Sequence, residues 1–107
     1  MAKQDFTDWS VYVRDKCVCA YCGADARRNL DLWRQLQIDH IVPGGPDTDD
    51  NKAVACYWCN LNLGGFDPPG SSRAEKIQSK RDHLAKKYAD TLRDFGEMQW
   101  EIVGALP

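Results

Sequence analysis

No apolar run in this 107-residue chain approaches the roughly 20 residues that a membrane-crossing helix needs. Nor does it open on the charged-then-apolar leader of a secreted protein. The expectation is a soluble, cytoplasmic protein with no membrane partner. An excess of positive charge is also missing: 14 Lys and Arg stand against 16 Asp and Glu, a net charge of -2. Many nucleic-acid binders are strongly basic, so this total argues against holding DNA by bulk electrostatics alone. A basic face can still sit within an acidic total. An even set of cysteines is lacking as well. Five cysteines do not close into a disulfide framework, and with no secretion signal the pattern favours metal over disulfides. Low-complexity tracts are absent, and so are internal repeats beyond one short motif.

That motif is a pair of knuckles, Cys19-x-x-Cys22 and Cys56-x-x-Cys59. A tetrahedral zinc ion takes four thiolates, and two such turns supply them. Zinc with four protein ligands has no open position, so this site staples the fold and does no chemistry. A simple zinc ribbon separates its pairs by roughly 15–20 residues. Here 33 residues lie between Cys22 and Cys56, enough for a β-hairpin. Cys17 is left over. It follows the first helix on its apolar side and reads as a small buried residue, because replacing Cys19 with it gives a poorer knuckle spacing.

The length suits a single domain, 1–107. A short helix is predicted over 7–16, with Thr7 as N-cap and Trp9, Tyr12 and Val13 on one face. The β-rich run Leu36–Val42 ends at Pro43 and reads as a strand. Residues 43–50 form a loop, and a second strand near Lys52–Ala55 leads into the second knuckle. Cys59–Leu63 reads as a short helix stopped by Gly64-Gly65. Ser72-x-x-Glu75 is a capping box that opens a helix of about six turns to Phe95. Its stripe is Ile77, Leu84, Tyr88, Leu92 and Phe95. The tail Met98–Val103 reads as a strand or a packed extension, with Trp100 docking it.

Asp39-His40 inside the hairpin and Asn60 beside the second knuckle carry the candidate chemistry. On a flat strand Asp39 and His40 point to opposite faces, and both reach one site only where the strand bends or sits beside a helix. An isolated Asp-His pair says little, but its setting says more. Cys19-Ala20-Tyr21-Cys22-Gly23, Ile38-Asp39-His40-Ile41-Val42-Pro43-Gly44-Gly45, Asp49-Asp50-Asn51 and Cys56-Tyr57-Trp58-Cys59-Asn60 with Gly64 stand in an order and spacing that resemble the HNH endonuclease family. Within that family the likeness is to members with Asn at the last motif position, such as phage junction resolvases and the HNH domains of RNA-guided nucleases.

The resemblance implies an α+β fold with a ββα-metal (His-Me finger) core, here residues 17–65, followed by a C-terminal helical extension over 71–107. It implies that His40 is a general base, taking a proton from the water that attacks a phosphodiester. Asp39 and Asn60 match the ligands of a catalytic Mg(II) or Mn(II), hard cations that suit oxygen donors. Asn51 matches a residue that fixes the loop and orients His40. The chain departs from many relatives at Leu63, where they carry Lys, and at Asn60, where they carry His. Asp47, Asp49 and Asp50 read as solvated loop carboxylates.

The last helix supplies what total charge does not. Arg73, Lys76, Lys80, Lys86 and Lys87 gather along one side, with His83 among them. In a nuclease such a side contacts DNA phosphates without reading sequence. The reading is a DNA endonuclease, nicking as a monomer and able to cut both strands as a homodimer. Two other readings stay open: a non-catalytic four-cysteine zinc module that binds nucleic acid or protein, and a rubredoxin-like iron carrier that leaves Asp39, His40 and Asn60 without a task.

Overall fold

Two four-residue strands pair to form the centre of the fold. In the computed structural model, which describes residues 8–105, β1 (Gln37–His40) lies antiparallel to β2 (Lys52–Ala55). The register sets Gln37 against Ala55, Ile38 against Val54, Asp39 against Ala53 and His40 against Lys52. Around this two-stranded sheet are α1 (Trp9–Arg14), α2 (Leu30–Arg34), a 3-10 turn (Asp49–Asn51), α3 (Tyr57–Leu63) and α4 (Arg73–Ala105). The class is α+β. Among the described residues no helix is long and apolar enough to cross a membrane.

Strand alternation sorts side chains between two cores. On one face Val54 and Ile38 join Val11, Tyr12, Ala26 and Leu36, under α1 and α2. On the other, Ala53 and Ala55 join the knuckle cysteines, Leu63, Ile77 and Leu84, under α3 and α4. All four residues of β2 are therefore buried. Burying a side chain such as Ile77 or Leu84 contributes about 2 kcal/mol, and these two anchor the first half of α4.

Several sequence expectations are corrected in detail. The first helix spans fewer than two turns, with Asp8 at its N-cap position, and Thr7 falls outside the described residues. Val11, not Val13, shares the buried face with Tyr12, because β2 packs against the turn one position earlier. The helix exits through left-handed backbone at Lys16 and Cys17, which leaves Cys17 half-buried against the α1 core. No apolar spacing announces α2. It is started by Asn29, whose side chain accepts from Leu32 N. β1 stops at His40 rather than Val42, because Asn51 takes over the next backbone groups.

The second knuckle opens its helix two residues earlier than Cys59. Cys56 Sγ accepts from Cys59 N at the N-cap, and Gly64, at φ 53°, ends the helix as expected. Ser72 Oγ caps Glu75 N, while the Glu75 carboxylate reaches Ser71 N rather than Ser72 N. α4 does not end at Phe95. It runs on to Ala105 through Gly96, since one glycine weakens a helix by about 1 kcal/mol without stopping it. The tail is thus neither strand nor docked extension: Trp100 is 80% exposed. Tyr88 sets its ring edge-on to Trp58, and beyond it Leu92, Phe95 and Met98 are exposed.

Candidate active site and metal centre

The two knuckles converge where β2 hands over to α3. Gly23, at φ 77°, turns the first one, and its N–H bonds back to Cys19 O. The Sγ atoms of Cys19, Cys22, Cys56 and Cys59 all lie within 4.8 Å of one another. Cys22 Sγ and Cys56 Sγ are 3.7 Å apart. A zinc tetrahedron with bonds of about 2.3 Å has edges of about 3.8 Å, so the sulfurs have the spacing this ion requires. Their protonation points the same way. Hydrogen bonds from the Cys56 and Cys59 thiols hold Cys19 far below the usual thiol range. The same bonding pushes Cys59 up, and burial pushes Cys22 up to about 11. Four clustered thiols do not all ionise against one another, and a dication is what makes four thiolates compatible. Cys17 stands outside this group, its Sγ directed at Tyr12 O.

Between the knuckles, the hairpin sets Asp39 against Tyr21 and α4, and its last residue, His40, against Asp47 of the 43–50 loop. Asp39 is 8% exposed on the face that α4 covers. Its Oδ2 accepts from Tyr21 OH at 2.5 Å and from Lys80 Nζ at 2.7 Å. Burial first, and then this bond to Asp39, raise the Tyr21 phenol well above its ordinary range, so it stays a proton donor. Asn60, on α3, donates its Nδ2 to Gln37 Oε1. Gln37 lies two residues before Asp39 and therefore on the same face of β1. The arrangement leaves Asn60 Oδ1 and Asp39 Oδ1 as oxygen acceptors on that face. A hard cation uses such a donor set.

His40 closes β1 with its side chain 43% exposed. Its Nε2 lies 3.0 Å from Asp47 Oδ1. Lys52, directly across the ladder, reaches the same carboxylate at 2.9 Å and Asp8 at 2.8 Å. Hydrogen bonds from Lys52 and then His40 hold the Asp47 carboxyl below its usual range. Asn51 is buried, and its side chain clamps the loop: Oδ1 accepts from Val42 N, and Nδ2 donates to Val42 O and Pro46 O. It does not bond the His40 ring. It fixes the backbone that leaves His40.

Order, spacing and geometry now stand together. Residues 19–65 match the family model of the HNH endonucleases. No curated protein and no solved structure matches the chain. The HNH segment contains both knuckles, the hairpin and α3, and stops before α4.

Of the basic side expected on α4, Lys80 turns inward, while Arg73, Lys86 and Lys87 stay exposed. Lys80 is buried in the ion pair with Asp39, and Lys87 Nζ donates to Asn62 O. Arg73 donates to Asp50 O and Lys52 O, and Arg81 to Ala20 O. Lys76 is half-buried and Lys86 is exposed. His83 is no plain exposed histidine: its ring stacks on Phe66, with centroids 4.0 Å apart. The loop carboxylates Asp47, Asp49 and Asp50 are exposed, and two of them have partners: Asp49 accepts from Ser10 and Asp47 binds His40 and Lys52. Tyr21, Gln37, Asp47, Lys52 and Lys80 are the site residues that spacing alone did not single out. For Tyr21 a signal existed, its place inside the first Cys-x-x-Cys. Lys80 was marked only as part of the basic side of α4, and nothing paired it with Asp39, because 40 residues of chain separate it from the Asp-His pair.

Proposed function

We propose that this protein is a metal-dependent DNA endonuclease that nicks one strand per binding event. The observation that carries the reading is His40, an accessible imidazole on the HNH hairpin, held by a carboxylate that is itself held by Lys52. A carboxylate only accepts, so His40 Nε2–H donates to Asp47 and Nδ1 is left as the basic nitrogen. His40 is then oriented to take a proton from the attacking water at Nδ1. Lys52 keeps Asp47 ionised in this role, and Asn51 keeps the loop that carries Asp47 in register with β1.

Asp39 and Asn60 would hold the catalytic divalent cation, Mg(II) or Mn(II), through Oδ1 atoms on one face of β1. When bound, such an ion offsets the charge that builds on the phosphate and leaving oxygen. The four-cysteine centre takes zinc and fixes the hairpin against α3. DNA is the expected substrate, with phosphate contacts from exposed cations of α4 such as Lys86 and Lys87 rather than from the buried Lys80. A monomer cuts one strand, and a homodimer would bring two sites to a duplex.

The test is conversion of supercoiled plasmid to open circle in Mg(II), Mn(II) or EDTA, beside His40→Ala. Metal-dependent nicking that His40→Ala lowers by about 10²–10⁴-fold is expected. Equal cleavage by the variant would sink the assignment of His40. No cleavage with any metal would favour a zinc module that binds nucleic acid or protein.

A further inference from the structure

Lys80 lies outside the HNH segment, yet its side chain ends beneath the hairpin. It is 1% exposed, the most buried charged group among the described residues. Its ammonium sits 2.7 Å from Asp39 Oδ2 and 3.1 Å from His40 O, and 5.8 Å from the centre of the Tyr21 ring. Tyr21 OH donates to the same Oδ2. One oxygen of Asp39 therefore carries both donors, and the other is left open.

We propose that Lys80 is a positioning residue and a built-in counter-cation, which holds Asp39 with Oδ1 free and weakens the affinity of the site for a divalent ion. The inference rests on Asp39 being a cation ligand. The physics is direct. A unit positive charge on one oxygen of a carboxylate opposes a second cation at the other, and burial removes the screening that would blunt that opposition. The ammonium cannot swing away without leaving His40 O unmet and the Asp39 carboxylate held by Tyr21 alone. The consequence is a site kept in shape without metal that fills only at a raised metal concentration. The last helix, through one residue, sets the metal requirement of a centre it does not belong to.

The experiment is Mn(II) titration, read by the electron paramagnetic resonance of free Mn(II), in a His40→Ala background that cannot turn over. Lys80→Met is expected to bind Mn(II) about tenfold more tightly, close to 1.4 kcal/mol. Lys80→Arg keeps the charge and is expected to stay near the parent. Unchanged or weaker binding by Lys80→Met would overturn the proposal, and so would equal tightening by Lys80→Arg. Where Lys80→Met does not retain its zinc, Lys80→Gln, an uncharged donor, carries the same expectation and the same overturning result. Asp39→Asn separates the two layers. Loss of Mn(II) binding there with no gain in Lys80→Met overturns the role of Lys80 alone. Unchanged binding in Asp39→Asn overturns the cation-ligand reading and this inference together.

Discussion

His40 and Lys52 face each other across the β1–β2 ladder, and both side chains reach the carboxylate of Asp47. A loop residue thereby becomes part of the hairpin's working end. If Asp47 orients the imidazole, Asp47→Ala should slow plasmid nicking by roughly tenfold, the cost of a freed and misoriented base. Lys52 keeps Asp8 as a partner, so the melting temperature should move little. Wild-type nicking by Asp47→Ala would remove the carboxylate from the mechanism.

The same carboxylate gives a pH expectation with a definite sign. Lys52 and His40 lower its folded pKa. The unfolded value is about 3.9, so this interaction supports the fold above that pH and is lost as pH falls through the lower folded value. Carbon-13 NMR of the Asp47 carboxyl should therefore titrate below about 3.9 in the wild type. In Lys52→Met the midpoint should move up. A wild-type midpoint at or above the unfolded value would refute the pairing.

The four-cysteine centre predicts one zinc per chain in a colourless protein. Structural zinc in small domains contributes on the order of 10 kcal/mol. Cys59→Ala should therefore release zinc to a colorimetric chelator and lose its cooperative melting transition. Cys17→Ser should retain zinc, because Cys17 stands outside the cluster. Loss of zinc in Cys17→Ser would reassign the ligands.

Arg73 and Lys86 should separate stability from DNA binding. Arg73 binds the carbonyls of Asp50 and Lys52, so Arg73→Ala should lower urea stability by about 1–2 kcal/mol. Lys86 is exposed on α4, and Lys86→Ala should leave stability unchanged. It should reduce the slope of log affinity against log salt by about 1. The reverse pattern would restore Arg73 to the DNA-contacting side that its sequence position suggests.

Much of the architecture was readable before any coordinates. The β2 bounds, the cap at Ser72 and the stop at Gly64 each follow from local chemistry: β propensity, a hydroxyl near free N–H groups, and a residue tolerant of positive φ. The knuckle spacing marked the four cysteines for the same reason, since ligands three apart on a tight turn can share an ion. The run of α4 past Phe95 was harder. Helix ends are set by tertiary partners as well as by propensity, and nothing in the exposed distal half breaks the backbone ladder.

Sequence by itself determined the HNH order of motifs, the four-cysteine cluster and the placing of Asp39 and His40 at successive positions of β1, because these rest on short-range spacing and strand propensity. Tertiary structure decided what each of the two then meets. Packing of α4 over the hairpin buries Lys80 against Asp39, and the return of the 43–50 loop sets Asp47 on His40. Helical periodicity can place a lysine on a charged stripe. Which side of that stripe faces water depends on the surface the helix lies against, and that surface is built from residues distant in the chain.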